Sequence, residues 1–476
     1  VLFCKPALLF NSVQYWIFLP LVWLLYFAMP VRLRWIWLLA ASYFFYGFWK
    51  VEFAGLMALT SVIDWQCGLR VQPGKAYRKF WLWFSILSNV GMLFMFKYFD
   101  FALGDSELAK KLYASNLTAW LIELGKYTIP AGISFYTFQS ISYVVDVYRG
   151  EEKPENNLFR FMLFVSFFPQ LVAGPIERFG KLHSQLFSAY MPRWNDVQAG
   201  LRLLLYGLFL KVCVADNLAH VVDQYYAQPS AFAVDAAYTA VLAFAFQVYT
   251  DFFGYSLLAQ GSALLFGIHL MDNFNKPFIA KSIPEFWHRW HISLSTWFRD
   301  YIFVPVGGNR RGPLVLAFAV LLVFFTSGLW HGANTTMIVF GLSQGILYLF
   351  DRFLFNRLPI SGKSWDVFRT IKTVMLFTIT LVWFRSVNMP QSSEVFRHLT
   401  GGIPSSGKVT MLDIPIQTPI FLLIFIILDV FVMKKRADIW FEERALPVRR
   451  LLYLFMLLSL FMLGGAVNHP FVYFQF

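Results

Sequence analysis

Long apolar stretches, separated by short polar and basic connectors, run the length of the chain. They fall at residues 9–29, 35–49, 53–68, 80–103, 128–146, 158–175, 198–215, 236–253, 255–270, 313–331, 334–350, 369–386, 416–433 and 450–467. Crossing a hydrocarbon core of ~30 Å takes ~20 apolar residues in a helix, and these stretches are continuous, unlike the alternating segments of roughly ten residues in a membrane barrel. The pattern predicts an all-α polytopic membrane protein: a bundle of about a dozen transmembrane helices, with the shorter stretches interfacial or re-entrant. The run from Leu8 to Met29 is followed by no small-residue cleavage site and reads as a first helix, while the opening VLFCKP reads as a leader remnant. Neither a repeat nor a soluble-domain boundary interrupts the pattern, so residues 1–476 are taken as one domain.

One stretch breaks the pattern. Ser282 followed three residues later by Glu285, with Pro284 between them, forms a capping box that predicts a helix starting at Ile283. On a wheel continued to Arg299, Trp287, Trp290, Leu294, Trp297 and Phe298 share one arc. His288, His291 and Ser295 line its edge, and Arg289, Ser293, Thr296 and Arg299 lie opposite. Such a helix is too polar to span, so it is expected at an interface or re-entering, with its tryptophans at headgroup depth. An amphipathic surface helix without chemistry accounts for the same pattern.

Composition agrees with the hydropathy. Mean hydropathy is +0.56 and only 14% of residues are charged, against roughly 25% in soluble domains. The net charge of +13 comes from short Lys and Arg clusters between apolar stretches, the habit of cytoplasmic loops and not of a nucleic-acid surface. Arg32 and Arg34, then Arg70, Lys75, Arg78 and Lys79, place their loops inside and the N-terminus outside. Lys434, Lys435, Arg436, Arg444, Arg449 and Arg450 do the same for a later loop, leaving the tail VNHPFVYFQF outside, as is the Gly-, Pro- and Ser-rich connection 386–413. Cys4, Cys67 and Cys213 are scattered, with neither redox nor metal spacing.

Candidate chemistry concentrates in histidine. His331, in TSGLWHGAN, lies between two apolar segments, where ionisable groups are costly. It is either a core histidine satisfied by neighbours or a general base, a neutral imidazole that takes a proton from a hydroxyl. Gly328 and Gly332 beside it allow close backbone approach, as a narrow substrate path needs. His288 and His291 have ligand-like spacing, but no Cys or acid on that arc completes a metal set. Gln139, Asp146, Glu177, Asp251 and Asn273 are further polar groups in apolar settings, each open to a structural reading. GGNRRG at 307–312 lacks both a preceding strand and P-loop spacing, so it reads as a basic turn.

Five blocks in order, PAGISFYTFQSISYVVDVYRG at 130–150, FFPQLVAGPIER at 167–178, DFFGYSLLAQG at 251–261, FWHRWHISLSTWFRDYIFVPVGGNRRG at 286–312 and GLWHGAN at 328–334, resemble the membrane-bound O-acyltransferase family. Within it the chain is most similar to the bacterial branch that acetylates alginate and other cell-surface polysaccharides. The resemblance implies a family core at 125–355, additional C-terminal helices at 365–467, and helices arranged around a central funnel or tunnel. It also implies a bacterial inner-membrane enzyme that moves an acetyl group from cytoplasmic acetyl-CoA to an extracytoplasmic polysaccharide, directly or through a periplasmic or exported acetyltransferase partner. No permanently bound cofactor or metal is expected. The family's invariant histidine matches His331, and its second motif position, Asn in many eukaryotic members and His in this branch, matches His291. Trp290, Ser295, Arg299, Trp330, Asn334 and Asp251 become candidate substrate- or donor-binding residues, and Arg289, Arg299, Arg310 and Arg311 candidate partners for CoA phosphates. Transfer of D-alanyl or another acyl group to a cell-wall polymer is the alternative within the family. A transporter or flippase, or a scaffold for a secreted enzyme, are alternatives outside it.

Overall fold

The apolar stretches fold as helices, and no β-strand occurs among the described residues. The computed structural model describes residues 10–104, 132–172, 174–188, 190–191, 193–355, 358, 360–401, 411–432, 435–463, 469 and 471–472. VLFCKP, Cys4, Lys434, the start of the predicted 128–146 span, part of the 386–413 connection and most of the C-terminal tail lie outside them. The chain forms two compact units, one of residues 1–201 with 258–271, the other of residues 202–257 with 272–476.

Among the described residues six helices are long and apolar enough to cross a membrane: Arg78–Tyr98, Trp194–Ala227, Val234–Leu264, Pro313–His331, Lys363–Arg385 and Leu446–Leu463. Val13–Ala28 and Gln417–Val430 are shorter apolar helices. Among the described residues this is fewer than the predicted dozen, for reasons visible locally. The spans predicted at 236–253 and 255–270 belong largely to one 31-residue helix, Val234–Leu264. Gly254 does not break it; a Cβ there would stand 2.9 Å from the Gly207 carbonyl, so the glycine permits helix–helix contact. The stretch 158–175 is interrupted at Phe167, whose φ of −49° and ψ of 108° leave the helical region.

In the first unit, Val51–Arg70 and Arg78–Leu93 are joined by a buried polar contact. Asp64 accepts hydrogen bonds from Ser85 Oγ at 2.6 Å and Asn89 Nδ2 at 2.8 Å, which compensates for desolvating the carboxyl group.

The site lies in the second unit, on five helices: α1 (Ile283–Arg289), α2 (Ile292–Phe298), α3 (Pro313–His331), α4 (Thr335–Phe353) and α5 (Lys363–Arg385). Helices α3 and α4 form a tight hairpin. A Cβ on Gly328 would sit 2.4 Å from the Met337 carbonyl oxygen, and one on Gly341 would sit 2.2 Å from that of Phe324. Gly328 therefore allows the close backbone approach that the sequence suggested, here between two helices.

Candidate active site

Helix α1 begins at Ile283 as the capping box predicts: Ser282 Oγ accepts from Glu285 N at 3.2 Å. A second anchor was not visible in sequence. Buried Asp351 of α4 accepts from Ile283 N at 2.6 Å and pairs with Lys372 of α5, adding negative charge at a helix N-terminus.

The predicted continuous helix does not form. It ends at Arg289, and α2 starts afresh at Ile292 because His291 adopts left-handed backbone angles, φ 43° and ψ 55°. A non-glycine residue there is strained, and the surrounding backbone holds it. Ile292 N donates to the Asn273 carbonyl, Asn275 N to the Arg289 carbonyl and Ser295 N to the His291 carbonyl, each at 2.9 Å. The side chain of buried Asn273 donates to Ser256 Oγ at 3.1 Å, fixing the clamp to Val234–Leu264.

The break separates the two histidines that the wheel placed together. His288 is exposed, its Nδ1–H donating to the Pro284 carbonyl at 2.6 Å. His291 is only 1% exposed, and neither of its ring nitrogens has a hydrogen-bond partner among the described residues. Burial pushes its pKa down to about 3, so the imidazole is neutral at physiological pH. Its ring meets Phe252 edge-on at 4.6 Å and Trp330 at 5.9 Å between centroids. Trp287, Trp290 and Trp297 are likewise packed inside protein, not spread along a membrane surface as expected.

His331 is the last residue of α3 and is 6% exposed. It packs against Trp330 at 4.8 Å and Phe384 of α5 at 5.2 Å. Trp330 thus packs on both imidazoles.

A cavity of about 270 Å³ lies among α1, α2, α3 and α4; neither histidine lines it. Arg299, Asn309, Arg352, His288 and Thr296 are among its polar lining residues, Arg352 donating to Asn309 at 3.3 Å, and Trp287, Ile292, Ser295, Phe324 and Ser327 also line it. His291 immediately precedes Ile292, and His331 lies one helical turn beyond Ser327, so two walls of the cavity each lead to a histidine.

The other predicted residues divide. Ser295 and Arg299 line the cavity. Ser295 Oγ also donates to the Trp290 carbonyl at 3.1 Å, bracing the break, and Arg299 pairs with Asp300 at 2.8 Å. Trp290 packs on Phe286, Phe274 and Phe377, a core position. Asn334 caps α4, accepting from Thr336 N and donating to the Val387 carbonyl at 2.7 Å. Arg289 pairs with Glu285, and Arg310 and Arg311 are exposed and not among the residues lining the cavity.

Asp251 has a structural place. Its carboxylate sits 3.0 Å from Lys211 Nζ and accepts from Val472 N at 2.8 Å, while Lys211 also meets Asp216 at 2.8 Å. All three charged side chains are buried. Lys211 interrupts the apolar run LYGLFLKVCVA, a lone charge in a span that could have flagged the network. Asp251→Ala is expected to cost about 1–3 kcal/mol, because Lys211 keeps Asp216 but loses its second counter-charge and Val472 N loses its acceptor, read as a fall in thermal stability in detergent. An Asp251 variant of wild-type stability that loses only turnover would return this residue to the reaction.

Sequence comparisons accord with this geometry. Residues 155–392 match the membrane-bound O-acyltransferase family model. The chain is 35% identical to a probable alginate O-acetylase of Azotobacter vinelandii, covering 88% of this chain and 84% of that one. It is 32% identical to a peptidoglycan O-acetyltransferase of Helicobacter pylori, covering 83% and 80%. Similarity to a teichoic acid D-alanyltransferase of Bacillus subtilis is 30% over 45% of this chain and 57% of that one. By these matches this multi-pass helical protein belongs to the membrane-bound O-acyltransferase family and is an O-acyltransferase.

Proposed function

We propose that the protein transfers an acetyl group from acetyl-CoA on the cytoplasmic side to a hydroxyl of an extracytoplasmic polysaccharide such as alginate, directly or through a partner acetyltransferase. The observation that carries this reading is the cavity lined by Arg299, Asn309 and Arg352, with lining residues Ile292 next to His291 and Ser327 one turn before His331. Guanidinium groups suit the phosphates of a CoA-type donor, and the less polar body suits its thioester arm.

In this reading His331 accepts the proton of the acceptor hydroxyl as its oxygen attacks the thioester carbonyl carbon. The tetrahedral intermediate carries its charge on the former carbonyl oxygen, toward which neutral His291 directs its single N–H. Collapse breaks the C–S bond, the proton on His331 passes to the departing sulfur, and an acetyl ester and a free thiol result. A charged donor cannot cross hydrocarbon, so a buried meeting point reached from both sides gives the enzyme its reason to span the membrane.

Acetyl is favoured over D-alanyl because the two acetylating relatives match over 88% and 83% of the chain, the D-alanyl relative over 45%. The test is purified protein in vesicles with labelled acetyl-CoA and oligosaccharide acceptors, following label in ester. Transfer confined to D-alanyl donors would replace the acetyl reading, and solute flux without thioester consumption would make the protein a transporter. In the same assay Arg352→Ala is expected to raise the KM for acetyl-CoA roughly 10-fold or more with kcat little changed, the signature of a lost charge-assisted phosphate contact. An unchanged KM would remove Arg352 from the donor site.

A further inference from the structure

The cavity and His331 share one stripe of α3. Val320, Phe324 and Ser327 line the cavity, and His331 continues the series at helical spacing, all four buried. Along this face of α3 Ser327 is the last cavity-lining residue before His331.

The bulky neighbours have little freedom to yield. Phe324 packs edge-on against Trp287 at 5.1 Å and against Tyr348 at 5.9 Å. Trp287 Nε1 donates to Gln344 at 3.1 Å, and Gln344 Nε2 donates to Thr380 at 2.5 Å, tying this wall to α4 and α5. Beyond Ser327, the His331 ring is held against Trp330 and Phe384. Nor does the backbone of α3 have room to move toward α4, since Gly328 and Gly341 already bring the two backbones into contact. Between Phe324 and His331 on this stripe, Ser327 alone lines the cavity with a small side chain.

We infer that Ser327 is the aperture between the donor cavity and His331: its small side chain leaves the slot through which a thioester arm reaches the base, and its volume decides which donors react. This rests on the donor cavity of the proposed function and adds a specificity-determining residue to it. The opposite wall, Ile292 and Ser295, belongs to the helix that starts at His291, so an arm in the slot would present its carbonyl between the two imidazoles.

The test adds bulk after folding. Ser327→Cys protein is reconstituted and treated with methyl or benzyl methanethiosulfonate, and labelled and unlabelled samples are compared. The parent protein, whose Cys67 and Cys213 are buried, is treated in parallel to subtract any effect of native thiols. The benzyl adduct is expected to lower kcat for acetyl transfer about 100-fold relative to unlabelled Ser327→Cys, as a misplaced reacting group does. The methyl adduct should lower it less. CoA binding by the benzyl adduct, measured calorimetrically, should stay within a few-fold, because the proposed phosphate contacts come from Arg299 and Arg352 and not from Ser327. A stoichiometric benzyl adduct with undiminished turnover, while Arg352→Ala still raises KM, overturns the aperture and leaves the donor cavity standing. If neither change affects acetyl-CoA kinetics or CoA binding, the donor cavity itself is wrong and the aperture falls with it.

Discussion

Replacing His331 by alanine is expected to lower acyl transfer by roughly 10² to 10⁴ at unchanged donor affinity, the contribution of a positioned general base. That is about 3 to 5 kcal/mol of transition-state stabilisation. The expectation follows from place as much as residue type. His331 ends the most apolar of the long helices, is 6% exposed, and stands where the cavity wall and the indole shared with His291 converge. A histidine serving only the core would register in stability. The measurement is therefore kcat and KM for acetyl-CoA together with thermal unfolding of the detergent-purified protein. A fall in kcat with KM and unfolding temperature near wild type supports the base. Undiminished transfer would sink it and favour a scaffold that merely holds a secreted enzyme, whereas loss of activity in step with loss of folded protein would assign His331 to packing.

His291→Leu is expected to separate activity from stability in the opposite direction. The native residue carries two costs: left-handed backbone angles, and two buried ring nitrogens without partners among the described residues. An unsatisfied buried polar group costs about 1–3 kcal/mol. Leucine, of nearly the same volume, removes the polar cost and retains the backbone strain. We expect an unfolding temperature at or above wild type at neutral pH, with kcat reduced about 10² to 10³, the usual loss when one oxyanion donor is removed. A severe stability loss at neutral pH would show that the imidazole contributes more by packing than the geometry indicates.

The same residue gives a pH test. A pKa of about 3 when folded, against about 6.5 when unfolded, means that the unfolded chain binds the proton more tightly. The stability linked to His291 is fully present above pH 6.5 and is lost progressively as pH falls toward 3. At pH 5 the wild type should have lost on the order of 2 kcal/mol through this group, and His291→Leu should lack that component. Equal pH dependence of the two proteins would mean that the buried imidazole is solvated or paired in the membrane.

The start of α1 was legible because a capping box is a local device: Ser282 and Glu285 bond to backbone within one turn. The break at His291 was not, since nothing in WHRWHISL departs from helix-forming pattern. It is imposed by residues 273–275, which donate and accept backbone hydrogen bonds across it. The wheel drawn through it consequently misjudged His288 and His291 as neighbours. The ion-pair network of Asp251 was hidden for a similar reason, because its partner Lys211 lies 40 residues earlier and meets it only through tertiary packing. The count of spans failed where hydropathy read one long helix as two and short or broken helices as full crossings.

What the sequence determined by itself was the helical class, the membrane and the family, because hydropathy over a helical length and motif order are one-dimensional properties. It also determined which two histidines to consider. Tertiary structure decided their standing: His291 is buried, strained and without hydrogen-bond partners among the described residues, and His331 packs on the same indole, one turn beyond the cavity-lining Ser327. Burial and left-handed backbone at His291 are set by the Asn273 clamp and the Phe252 and Trp330 rings, contacts between segments distant in the chain. Local propensity carries no record of such contacts, so the chemistry of the site became visible only once the helices had packed.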